Sequence, residues 1–113
     1  MDDKYSLTFN YYQSDAQRTA NTTDPIRLAT AGLGASGEAG ELAGAIKKHL
    51  SQGHALDIEK IKDEAGDVLW YLTEIAVICG FTLEDVALEN IKKRRIRYPD
   101  GFDTERSKNR GDA

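Results

Sequence analysis

Two carboxylate pairs constrain this chain more than anything else in it: Glu38-Ala39-Gly40-Glu41 and Glu64-Ala65-Gly66-Asp67. Each has i, i+3 spacing inside a helical pattern. On an α-helix that spacing puts both side chains on one face, about 5–6 Å apart at Cβ. Four acids converging from two helices repel one another unless a positive charge sits among them. An all-oxygen donor set suits a hard divalent cation such as Mg²⁺.

The rest of the pattern is helical too. No apolar/polar alternation is long enough to build a sheet. The spacing predicts four helices. The first runs from about Ser6 to Ala20, with Phe9, Tyr12, Ala16 and Ala20 on one stripe. The second runs from Pro25, capped by Asp24, to about Leu50, with Gly53 as its stop. The third runs from Asp57 to Gly80. The fourth starts at Thr82 and ends before Pro99. Thr82-Leu83-Glu84-Asp85 has the form of a capping box, and Phe81 and Val86 stand where a hydrophobic staple forms. Residues 100–113 mix charge, Gly and Ser without periodicity and read as loose; the expected division is a single domain over residues 1–102 and a flexible tail over 103–113.

At 113 residues one domain is the default, and oligomerisation would help so small a core. The net charge of −4 argues against a nucleic-acid binder driven by bulk charge. No apolar run is long enough for a membrane span. Met1-Asp2-Asp3-Lys4-Tyr5 lacks the pattern of a signal peptide. The single cysteine, Cys79, cannot form an internal disulfide and reads as a core thiol. Together these features point to the cytoplasm.

On the third helix Ile61, Ala65, Val68, Leu69, Leu72, Ala76 and Cys79 form one apolar stripe. Glu64, Asp67 and Tyr71 flank it, and Trp70 and Val77 lie on the far side, which suits subunit contact. On the second helix Leu28, Ala35, Ala39, Leu42, Ile46 and Leu50 form the expected core stripe, with Glu38, Glu41 and Lys48 beside it. On the fourth, Val86, Asn90, Lys93 and Arg97 share a row, with Arg94 adjacent. The picture is a cation held by acids and an anion held by the cation and the basic row. Five glycines (32, 34, 37, 40 and 44) cost the second helix roughly 1 kcal/mol each relative to Ala. They suggest close helix contact, room for a ligand, or an irregular start.

Spacing and face position alone leave two accounts open: a metal site, or acids solvated on helix surfaces. Lys48, Lys93, Arg94 and Arg97 equally suit helix C-termini, where cations complement the macrodipole. His49 and His54 lack the i, i+4 spacing of a helical zinc site. No Walker-type phosphate loop and no nucleophile elbow are present.

The motif Glu-x-x-Glu, a gap of some two dozen residues, then Glu-x-x-Asp resembles the signature of the MazG-like, all-α nucleoside triphosphate pyrophosphohydrolases. Similar stretches extend around it: Gly34-Ala35-Ser36-Gly37-Glu38-Ala39-Gly40-Glu41-Leu42, Ile46-Lys47-Lys48-His49, Glu64-Ala65-Gly66-Asp67-Val68-Leu69-Trp70-Tyr71-Leu72, and Glu89-Asn90-Ile91-Lys92-Lys93 with Arg97-Tyr98-Pro99-Asp100-Gly101-Phe102. The resemblance covers residues 30–102. The N-terminal helix matches only through Tyr12-Gln13. Where some relatives carry an extra Glu before the first motif acid, this chain has Gly37.

The resemblance implies an all-α, four-helix MazG-like bundle whose helices combine across subunits in a homodimer or homotetramer. It implies hydrolysis of nucleoside triphosphates, deoxynucleotides included, between the α- and β-phosphates, releasing nucleoside monophosphate and pyrophosphate in nucleotide-pool house-cleaning. Glu38, Glu41, Glu64 and Asp67 would hold Mg²⁺, with Mn²⁺ as a substitute. Glu38 or Glu41 would act on the attacking water. Gln13, Lys48, Tyr71, Asn90, Lys93 and Arg97 would contact substrate. The expected partner is the triphosphate, with no nucleic acid and no membrane. Alternatives are a non-catalytic helical interaction module, a phosphoribosyl-ATP pyrophosphatase or an all-α dUTP hydrolase. A di-iron bundle is disfavoured because neither motif carries His.

Overall fold

The computed structural model describes residues 6–110. The N-terminal pattern read on residues 1–5 and the last three residues of the tail lie outside them. The regular elements among the described residues are all helices: α1 (Phe9–Ala16) with a 3₁₀ turn (Gln17–Thr19), α2 (Arg27–Gln52), α3 (Ile58–Cys79), α4 (Leu83–Arg97) and a short α5 (Thr104–Lys108). Among them no single helix is long and apolar enough to cross a membrane.

Caps set the boundaries. Thr8 starts α1 by accepting from the Tyr11 N–H at 3.0 Å, so the helix begins at Phe9 rather than near Ser6. Asp24 does not cap a helix beginning at Pro25. Its Oδ1 accepts from the Ile26 N–H at 2.9 Å, closing a turn over the proline, and α2 starts at Arg27. Asp57 caps α3 through the Lys60 N–H. The α4 capping box forms in both directions, with Thr82 Oγ1 accepting from Asp85 N–H and Asp85 Oδ2 from Thr82 N–H. Gly53 and Gly80 end α2 and α3 at φ of 71° and 83°, a left-handed conformation that is cheap only for glycine. Within the segment read as an aperiodic tail, Asp103 caps the single turn and a half of α5.

The short link between Gln52 and Ile58 folds α3 back along α2. Three cross-helix neighbours fix an antiparallel register: Arg27 with Glu74, Gly34 with Tyr71, and Glu38 with Glu64. Residue numbers rise on one helix as they fall on the other. This hairpin is the main packing unit. Against one side of it lie α1 and the start of α4, around buried Ala16, Ala31, Thr73, Ala76 and Leu83. Gln13 pins the corner: its Oε1 accepts from Leu83 N–H at 2.8 Å and its Nε2 donates to Phe81 O at 3.4 Å.

Four expectations change. Cys79 is exposed and not a core thiol. The arc of α2 that meets α3 is Arg27, Ala31, Gly34 and Glu38, not the Leu28–Leu50 stripe; Leu28 and Leu50 are 51% and 74% exposed. Ala31 and Gly34 let α3 come close at this contact, while Leu28, Ile46 and Leu50 face outward. α2 is one continuous helix, and only Gly34 among its glycines meets a neighbour: a Cβ there would overlap the Tyr71 ring. Trp70 is engaged within the chain, donating from Nε1 to Ala16 O (3.2 Å) and Thr19 Oγ1 (3.1 Å).

The chain bends by 101° between α3 and α4. Bundle helices pack within about 20° of parallel or antiparallel, so one chain does not close a four-helix bundle. Its radius of gyration is 17.3 Å, against about 13 Å for a compact domain of 100 residues.

Candidate metal centre

Midway along the hairpin, Glu38 of α2 faces Glu64 and Asp67 of α3. One carboxylate oxygen from each lies within 4.8 Å of the others. The i, i+3 spacing of Glu64 and Asp67 sets both on the α2-facing arc, and the register brings Glu38 opposite. Glu64 is buried, Glu38 half-buried and Asp67 exposed, so the cluster opens to solvent on one side.

The electrostatics reflect crowded negative charge. Glu38 is held above the ordinary carboxylate range, first by a hydrogen bond with Glu64, then by desolvation and the charges of Asp67, Glu64 and Glu41. Glu64 is held below it, mainly by the Lys60 ammonium, whose Nζ stands 2.8 Å from Glu64 Oε1. Of this hydrogen-bonded pair Glu38 therefore holds its proton more tightly, and Glu64 is the one that keeps its charge. Three hard oxygen donors short of compensating charge are the donor set a divalent cation takes.

Glu41 does not join the cluster. It lies one turn farther along α2, exposed, on a cavity of about 760 Å³ whose walls also include Lys48, His54, Asp57 and Lys60. Tyr71 packs on Gly34 and meets Trp70 edge-on at 5.1 Å. Tyr12 stands near Asp67; burial first, then the Asp67 charge, pushes its hydroxyl pKa up. Gln13 has both ends of its amide engaged at the α3–α4 corner.

Asn90, Lys93 and Arg97 come together on a separate, open cavity along α4, with the expected staple pair Phe81 and Val86 among its lining. By helix rise, Asp67 lies about 18 Å before the α3–α4 corner and Lys93 about 15 Å beyond it. With the 101° bend, roughly 20 Å separates the two. One chain does not bring the basic row to the acids.

Two groups escaped the sequence reading. Lys60 was visible as the i−4 neighbour of Glu64, a helical pairing distance. Arg27 and Glu74 are 47 positions apart and meet only through the hairpin register. Arg27 forks onto Glu74, Nε to Oε2 at 2.9 Å and Nη2 to Oε1 at 2.6 Å, and Nη2 also donates to Gln17 Oε1 at 3.0 Å. That clamp ties the 3₁₀ turn and the start of α2 to α3.

No solved structure matches the chain. Gene 37 protein of Mycobacterium phage L5 is 33% identical over 73 residues, 61% of this chain and 64% of that protein, so the chain spans less than two thirds of its relative's length. Residues 28–102 match the MazG nucleotide pyrophosphohydrolase domain, a stretch that takes in all three clustered acids and runs through the end of α4. The chain belongs to the MazG nucleotide pyrophosphohydrolase family.

Proposed function

We propose that this chain hydrolyses nucleoside triphosphates, deoxynucleotides among them, between the α- and β-phosphates, using Mg²⁺ held by Glu38, Glu64 and Asp67. The observation that carries the reading is the convergence of these three carboxylates, from two antiparallel helices, inside a MazG domain. When bound, such an ion supplies charge neutralisation at phosphate oxygens and makes water more nucleophilic.

The residues divide the remaining work. Glu41 stands outside the cluster and in solvent, so its carboxylate is available to orient the attacking water and take its proton. Lys48, across the same cavity, binds phosphate oxygens of the leaving pyrophosphate. Tyr71, fixed against Gly34 beside Asp67, borders the place where sugar and base extend from the α-phosphate.

Asn90, Lys93 and Arg97 lie too far away in one chain, so they serve the site of a second copy. The outward apolar stripe of α2 supports that assembly. Leu28, Ile46 and Leu50 on α2 are exposed on the same side of the hairpin as Leu72 on α3. A homodimer or homotetramer would cover this face.

The test is purified protein against a panel of ordinary and modified triphosphates with Mg²⁺, scored for pyrophosphate and orthophosphate. Pyrophosphate with nucleoside monophosphate is expected, and chelation should abolish turnover. Orthophosphate as the primary product, or full activity in excess chelator, overturns the reading.

A further inference from the structure

Lys60 connects the acidic cluster to the cavity beside it. Its Nζ sits 2.8 Å from Glu64 Oε1, yet its own side chain is 51% exposed while that of Glu64 is 7% exposed. The charged tip is paired at the acidic cluster while about half of the side chain stays open to solvent. Lys60 also lines the 760 Å³ cavity, with Lys48 on the α2 side. A cavity of that size falls within the range of small-ligand sites, about 300–1,000 Å³.

A divalent cation among Glu38, Glu64 and Asp67 would stand beside the Lys60 ammonium. Two positive charges at such range repel, and both need Glu64. The lysine is the mobile partner, a flexible four-carbon stem held only at its tip. Released, the ammonium stays over the cavity, because the stem springs from the first turn of α3 that forms the cavity wall.

We propose that Lys60 is the resident counter-ion of the metal-free acidic site, displaced by the divalent cation and so delivered to the phosphate oxygens of a polyphosphate in the adjoining cavity. Glu41, Asp57 and Glu59 on the cavity lining repel an anion while Lys60 is tied to Glu64. Cation binding frees one positive charge for the cavity and orders the sequence of events: metal first, polyphosphate second. Lys60 and Lys48 then bracket the anion from α3 and α2. The phosphate half of this proposal rests on the triphosphate reading above; the counter-ion half does not.

Calorimetry separates the two halves. Wild type, Lys60→Met and Lys60→Arg are titrated with Mg²⁺ alone, and the Mg²⁺-saturated proteins are then titrated with inorganic pyrophosphate. Lys60→Met should bind Mg²⁺ about threefold to fivefold more tightly, since a competing ion pair is gone. It should bind pyrophosphate about tenfold more weakly, having lost a charge-assisted contact, while Lys60→Arg stays close to wild type. Circular dichroism checks that helicity is kept. Unchanged or weaker Mg²⁺ binding in Lys60→Met overturns the counter-ion role, and unchanged pyrophosphate binding overturns the phosphate role. A wild type that cleaves no triphosphate would sink the functional reading while leaving the Mg²⁺ comparison decisive for the counter-ion.

Discussion

Glu38 and Glu64 are hydrogen-bonded across the helix pair, and Lys60 favours the negative charge on Glu64. The three clustered acids and Glu41 are thus unequal, although the sequence presents all four alike. Glu64→Gln removes the buried negative charge that both Lys60 and a cation need, and should weaken Mg²⁺ binding at least tenfold or so by calorimetry. Glu41→Gln should leave Mg²⁺ affinity near wild type while abolishing turnover; equal loss of Mg²⁺ binding in both variants would return Glu41 to the cluster. The spacing of the acids was legible because i, i+3 geometry is local. Their division of labour was not, since it depends on how far Glu38 lies from Glu64 across a helix pair.

At the scale of elements, the α2–α3 hairpin is held by close approach at one point and an ion pair at another. Gly34→Ala would drive a methyl into the Tyr71 ring, whereas Gly32→Ala meets nothing within 4 Å. The Gly32 change should stabilise by about 0.5–1 kcal/mol through helix propensity. The Gly34 change should destabilise by about 1 kcal/mol or more, overpacking outweighing the same gain. Urea midpoints of the pair measure the difference. Arg27 holds the Glu74 carboxyl below its ordinary value of 4.5. A depressed folded value stabilises the protein above the unfolded one, and that contribution disappears as pH falls through the folded value. Wild type should therefore lose more stability than Arg27→Met between pH 6 and pH 3, read by chemical denaturation. Caps and stops of α3 and α4 were readable because they depend on residues next to one another. The packing arc of α2 was misread because periodicity finds the most apolar arc, and here the glycine- and acid-bearing arc makes the intrachain contact.

The whole molecule is open for its length. Its radius of gyration of 17.3 Å and its exposed leucines and isoleucines leave an apolar face uncovered along both long helices. Light scattering should give a dimer or tetramer at working concentration. Leu72→Glu, on that face and away from the acids, should shift it toward monomer and lower activity together. A wild-type monomer with full turnover would refute the assembly and the shared basic row. The four longer helices were legible from the sequence, and the short α5 was not. The 101° turn at Gly80 was not, because a glycine stop announces an ending and says nothing of direction. Trp70 adds a practical consequence. It is the chain's one tryptophan, three residues from Asp67, with its indole N–H bound to the 3₁₀ turn and its ring against Tyr71. The protein carries its own fluorophore at the seam between the candidate site and α1, so occupancy of the site can be followed optically without any label.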